Sequence, residues 1–134
     1  MDMKSQTFNH GLTWEESYGY SQALVVGDVV YVSGQLSHDA EGNFVGAGDF
    51  ERQITTTFEN LDKILKQVGA TRNQIVEDTV LVRNLHEHFD KVSAAHKRYF
   101  GEHRPASTTV GIVGLAFPDQ LVEIKVTIRL DAHK

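Results

Sequence analysis

Leu121-Val122-Glu123-Ile124-Lys125-Val126-Thr127-Ile128-Arg129-Leu130 is the stretch whose reading decides the fold, because it alternates without a break. Val122, Ile124, Val126, Ile128 and Leu130 fall to one side; Glu123, Lys125, Thr127 and Arg129 fall to the other. A period of two over this length marks a strand with one apolar face and one wetted face. Glu123 therefore points away from the packed side, where an ionised carboxylate is tolerated and available for chemistry. Upstream, Arg104-Pro105-Ala106-Ser107-Thr108-Thr109-Val110 runs into Gly111-Ile112-Val113-Gly114. Three hydroxyl residues followed by β-branched apolar ones predict another strand. Gly114 and Phe117-Pro118-Asp119 announce the loop between the two. Read this way, Arg104–Leu130 is a hairpin that brings hydroxyls and a carboxylate close together.

Further outward, short β-branched runs at Gln22–Val26 and Val29–Ser33 are separated by Gly27-Asp28, a pair suited to a tight two-residue turn. Ser5–Phe8 is read as a short first strand, and Asn9–Ser17, which contains Trp14, as a loop. Phe50, Ile54, Phe58, Leu61, Leu65 and Val68 recur at spacings of three and four, so the spacing predicts an amphipathic helix. Asp49 is placed to cap it and Gly69 to stop it. Ile75–Arg83 is predicted to be a strand with Val76, Val80 and Val82 on one side. A second helix follows, with Leu85, Phe89, Val92 and Tyr99 as its stripe, Asn84 and Glu87 as a capping pair, and Gly101 as its end. Two amphipathic helices on one face of a mixed sheet make an α+β sandwich. The uncovered face is not strongly charged, which points to self-association into a closed homo-oligomer.

The totals narrow the functional classes. With 134 residues the chain is expected to form one domain, 1–134, and its 40% hydrophobic and 23% charged content is ordinary for a globular protein. A net charge of −5 without a Lys/Arg cluster argues against binding the phosphate backbone of a nucleic acid. The absence of cysteine excludes disulfides, thiolate nucleophiles and Cys-ligated metals. Residues 1–6 carry no apolar run, and no later stretch approaches the ~20 residues that span a bilayer. The expectation is a cytoplasmic protein with no membrane partner. His86-Glu87-His88 lacks the one-turn spacing that puts two ligands on one helix face, and His96 and His103 add no known ligand spacing, so no metal is expected. The glycines at 42, 46 and 48 have no Lys-Ser/Thr behind them and do not form a phosphate loop. No cofactor is implied.

Gln22-Ala23, Val26-Gly27-Asp28 and Val30-Tyr31-Val32-Ser33-Gly34-Gln35 resemble the start of the Rid (YjgF/YER057c/UK114) superfamily of reactive-intermediate deaminases. The resemblance continues through Gln53–Leu65 with Asn60-Leu61, through Gly69-Ala70 and Tyr99-Phe100 to Pro105-Ala106, and ends in Leu121-Val122-Glu123-Ile124. It implies the chorismate-mutase-like fold and a homotrimer with small-molecule clefts between subunits. In deaminases of this family an arginine directly after the Pro-Ala pair holds the substrate carboxylate, while a glutamate and backbone groups place water against an imine carbon. Carried over residue by residue, Glu123 is the catalytic position, and Tyr20, Ser33, Gly34, Ser107 and Thr109 fall on the cleft. His86 falls on the polar position at the mouth of the second helix.

The arginine position falls on Ser107. Arg104 lies an odd three residues earlier, so in a regular strand its side chain leaves from the other face, displaced by about 10 Å. Arg129 shares a face with Glu123 but stands about 20 Å along the strand. Losing one partner of a desolvated charge pair costs ~2–5 kcal/mol, roughly a thirty- to several-thousand-fold loss for a carboxylate-bearing imine. The resemblance therefore implies deaminase-like hydrolysis of a substrate other than the simple 2-imino acids. The alternative is a non-catalytic binding or chaperone-like trimer. Structural roles compete at each position: a solvated or interface carboxylate at Glu123, ordinary strand hydroxyls at Ser107–Thr109, a bulge at Ser33-Gly34-Gln35, and plain packing at Tyr20. The ribonuclease activity also ascribed to the family is disfavoured by the acidic charge and by the lack of a placed acid–base histidine pair.

Overall fold

The computed structural model describes residues 5–134. In chain order it forms β1 (Ser5–Phe8), α1 (Thr13–Tyr18), β2 (Ala23–Val26), β3 (Val29–Gln35), α2 (Phe50–Val68), β4 (Ile75–Arg83), α3 (Leu85–Phe100), β5 (Ala106–Ile112) and β6 (Val122–Arg129). The strands make one six-stranded sheet in the order β1-β2-β3-β6-β4-β5. All neighbours are antiparallel except β4 and β5. α2 and α3 cover one face. Their apolar stripes close on Val30, Val32, Val80, Val82 and the even-numbered residues of β6. The architecture is the expected α+β one.

The local signals were obeyed where a few neighbouring residues settle them. The Asp49 carboxylate accepts the Arg52 N–H at 3.0 Å, and Gly69 ends α2 with φ 74°. Gly27, with φ 60°, turns between β2 and β3, which pair Val26 with Val29. Asn84 behaves differently from the expectation. It adopts a left-handed conformation, and its backbone oxygen rather than its side chain receives the first N–H groups of α3. In β4 the packed side begins with Ile75, not Val76. A bulge at Val76–Glu77 shifts the register, so Val76 turns outward.

Two larger expectations are corrected. Residues 9–17 are not all loop, because Thr13–Tyr18 forms α1. The Glu15 carboxylate reaches back to the Leu12 N–H at 2.9 Å, and Gly19 closes the helix in a left-handed conformation. Nor do β5 and β6 form a hairpin. β4 lies between them, parallel to β5 and antiparallel to β6. β4 and β6 each bury several residues and pair on both sides, whereas no residue of β5 is fully buried. The hydroxyl-rich strand is therefore the one left at the edge. Among the described residues no helix is long and apolar enough to cross a membrane.

Candidate functional site

Glu123 lies on the sheet face opposite the helices, as the alternation of β6 requires, with Leu81 beside it on β4. On its other side β3 carries a bulge: two residues, Ser33 and Gly34, oppose the single Lys125 between the pairs Val32–Val126 and Gln35–Ile124. The bulge brings the Gly34 backbone directly against the Glu123 carboxylate, and any Cβ at position 34 would overlap it. Glycine is required here by close approach rather than by its dihedral freedom. Burial pushes the Glu123 carboxyl up from the ordinary glutamate range, against a 3.3 Å hydrogen bond donated by Gln120 Nε2. The sequence placed this carboxylate on a wetted face; the structure shields it partly beneath the bulge.

Tyr20 stands in the field of the same carboxylate. Burial raises its phenol pKa, and the negative charges of Glu15 and Glu123 add to the rise, while the hydrogen bond from Gln22 opposes it. Its hydroxyl thus stays protonated at neutral pH. A polar network behind it fixes the ring. Gln22 Nε2 donates to the Tyr20 hydroxyl and to Glu15 Oε2, each at 3.0 Å, and Gln35 Nε2 donates to Gln22 Oε1 at 2.9 Å. Burial alone would raise Glu15, but N–H groups from His10, Gln22 and Leu12 outweigh it and hold this carboxylate ionised. Ser33 is also anchored, its Oγ donating to Ser21 O at 2.7 Å. Tyr20, Ser33 and Lys125 line a shallow hollow of about 380 Å³.

Ser107 and Thr109 lie on the other side of the sheet. They pair with Asp78 and Val80, whose side chains face the helices. Asp78 is buried and doubly engaged. Its Oδ1 accepts from Ser107 Oγ at 2.5 Å, and its Oδ2 lies 2.6 Å from His96 Nε2. The same His96 nitrogen is 3.4 Å from Ser107 Oγ. This is not a nucleophile relay, because one nitrogen faces both partners and the serine proton already points to the carboxylate. Ser107, Thr109 and His96 line a cavity of about 480 Å³ between α3 and β5, together with Phe89 and Arg104. Phe89 is 48% exposed, so it is a wall of this cavity rather than the core residue its helical spacing suggested. Arg104 contradicts the strand-parity expectation. β5 begins at Ala106, so the alternation that would send Arg104 to the opposite face does not extend back to it.

Within one chain, then, Glu123, Tyr20, Ser33 and Gly34 share one face while Ser107 and Thr109 share the other. His86 is exposed on the first turn of α3 and lines neither concavity. Among the described residues no three His, Asp or Glu side chains converge on a possible metal position.

Residues 14–130 match the model of the family described as Endoribonuclease L-PSP. This chain belongs to that family, and with it to the Rid/YjgF superfamily. A RutC family protein of Pyrococcus abyssi is 36% identical over 79% of this chain and 82% of its own length. A 2-iminobutanoate/2-iminopropanoate deaminase of Dermatophagoides farinae is 30% identical over 72% of this chain and 74% of its own. The crystal structure of a YjgF/YER057c/UK114 family member from Mycobacterium tuberculosis superposes with a TM-score of 0.83 at 25% identity, covering 94% of this chain and 99% of that one. A putative endoribonuclease from Thermotoga maritima gives 0.78 at 35% identity, over 84% and 87%. The fold of these neighbours is the chorismate-mutase-like one.

Against this Rid/YjgF framework, sequence reasoning missed Asp78 and His96. Asp78 interrupts the apolar side of β4, at the same parity as Val80 and Val82, and a carboxylate there signals a buried partner. His96, from α3, answers it; eighteen residues of separation hid the pair. Lys125, on the wetted face of β6, shares a hollow with Tyr20 and Ser33.

Proposed function

We propose that this Rid/YjgF family member is a hydrolytic imine or enamine deaminase whose site is completed between copies of the chain, as a homotrimer. The observation that carries the reading is the partly desolvated Glu123 carboxylate seated against the Gly34 bulge, with Tyr20 within reach of its charge. Deaminase-named relatives add family-level support. The separation of Glu123 from Ser107 across the sheet favours assembly, since a neighbouring copy has to supply the second half of the cleft. Leu24, Tyr31 and Val110, exposed on the open sheet face, give such a neighbour apolar surface to cover.

In this reading Glu123 takes a proton from water as the water oxygen attacks the imine carbon. That proton passes to the imine nitrogen to give the neutral carbinolamine. Glu123 then carries the carbinolamine hydroxyl proton to the same nitrogen, the C–N bond breaks, ammonia leaves and the C=O of the product forms. A carboxylate raised by burial suits both transfers, because its affinity for the proton lies nearer neutrality. Tyr20, kept protonated, is a hydrogen-bond donor to the developing charge. The neutral Ser107 hydroxyl, already committed to Asp78, does not grip a small acid as a guanidinium does. Alanine-derived 2-iminopropanoate is therefore a poor substrate.

The test follows imine loss, with imines generated in the cuvette by an amino-acid oxidase. Glu123→Gln is expected to reduce turnover at least a hundredfold while leaving the sedimentation coefficient unchanged. Full activity in Glu123→Gln, or a parent protein that stays monomeric at micromolar concentration, overturns the proposal. Binding of ligand without turnover favours the non-catalytic alternative. The acidic chain gives no reason to expect cleavage of RNA.

A further inference from the structure

The cavity between α3 and β5 contains positive charge that no carboxylate among the described residues pairs with. Lys97 and Arg104 both line it. Among the described residues the ion pairs are Arg72–Asp62, His96–Asp78 and Arg129–Asp131, and neither cation belongs to any of them. Asp78, which contacts two residues of the cavity wall, has both its oxygens already taken by Ser107 and His96. In a chain of net charge −5, two unanswered cations at one cavity mark a place for an anion. The same cavity has an aromatic wall in Phe89 and Phe100. Its volume of about 480 Å³ lies within the ~300–1,000 Å³ of pockets that enclose sizeable organic ligands, well beyond what a three-carbon acid fills.

We propose that this cavity selects a carboxylate with an aromatic or long aliphatic body, Arg104 and Lys97 holding the acid group and Phe89 and Phe100 holding the body. The inference rests on the imine-deaminase reading only in taking this cavity as the substrate's half of the site. Arg104 is a specificity-determining residue in this account. It supplies a guanidinium from outside the strand, where Pro105 interrupts the backbone, rather than from position 107. An acid group bound there is displaced from the one a guanidinium at 107 would hold, so the ligand has to be longer than a simple 2-imino acid.

Phenylpyruvate, the stable 2-oxo acid that hydrolysis of a phenylalanine-derived imine yields, is the probe, with pyruvate and inorganic phosphate as comparisons in calorimetric titrations of the full chain. The expected result is saturable binding of phenylpyruvate at least tenfold tighter than either comparison. Arg104→Ala and Lys97→Ala are each expected to weaken phenylpyruvate at least tenfold, with the circular dichroism spectrum unchanged, since both side chains are exposed. Glu123→Gln is expected to bind phenylpyruvate as the parent does, which separates this inference from the catalytic one. Binding that depends on Arg104 without turnover of any imine upholds the inference and sinks the deaminase reading. Equal affinity for pyruvate and phenylpyruvate, tighter binding of phosphate, or an Arg104→Ala variant with unchanged affinity overturns the inference whatever the turnover.

Discussion

The Gly34 backbone rests against the Glu123 carboxylate across the bulge in β3, with no room for even a methyl group between them. The contact couples the position of the proposed base to a backbone irregularity two strand residues long. Gly34→Ala is expected to push the carboxylate aside and reduce imine hydrolysis about a hundredfold, the scale that an ångström of misplacement commonly costs. Overpacking should lower stability by about 1–3 kcal/mol. Steady-state kinetics and urea unfolding check the two halves. A variant as active as the parent means the contact does not matter for chemistry.

Glu123 also sets a pH dependence with a definite sign. Its carboxyl is raised in the folded chain by burial. Between the unfolded value, about 4.3 for glutamate, and the folded one, the native state holds more protons than the unfolded chain. Stability therefore falls as pH rises through that window. Glu123→Gln keeps an oxygen for the Gln120 hydrogen bond and removes the titration. It is expected to be more stable than the parent at pH 7 and equal to it below about pH 4. Denaturant midpoints measured from pH 3 to 8 decide the matter, a constant gap being the adverse result. Turnover by the parent should rise with pH through the same window.

Asp78 holds two groups at once, so truncating it strands both. Asp78→Ala removes the acceptor of Ser107 and the partner of His96 and should cost roughly 2–4 kcal/mol. Asp78→Asn, which retains an acceptor oxygen, should cost less. Thermal or chemical denaturation gives the order, and an alanine variant as stable as the asparagine variant contradicts it.

Ser107→Arg bears on the same carboxylate. An arginine at 107 enters beside Asp78, whose side chain is fully buried, and is expected to be captured there. The single substitution should then raise hydrolysis of 2-iminopropanoate only modestly. Ser107→Arg combined with Asp78→Asn leaves the guanidinium free for substrate and should exceed the single variant at least tenfold in kcat/KM. Kinetics on the alanine-derived imine compare the two, and equal rates in both count against the idea.

Position by position, the sequence was legible wherever the interactions that matter lie within about one turn or one strand. The stripe from Phe50 to Leu65, the Asp49 cap, the Gly69 stop, the turn at Gly27-Asp28 and the alternation of β6 all come from neighbours along the chain. α1 was missed because its start is defined by one side chain, Glu15, folding back on backbone groups rather than by a periodic stripe. The bulge at Val76–Glu77 escaped for a related reason, since an inserted residue leaves no trace in a nine-residue strand until its partner is known.

What the amino-acid order determined by itself was the six strands, the two long helices and, away from the bulges, the face of its strand on which each side chain lies. The tertiary structure alone decided which strands lie side by side. β4 entered between β5 and β6 and pairs with both, and that pairing exists only after long-range closure. The same closure put Ser107 and Glu123 on opposite faces, joined Asp78 to His96, and left Arg104 at the cavity. A strand's period is a property of its own residues; its neighbours are chosen by the packing of the whole chain.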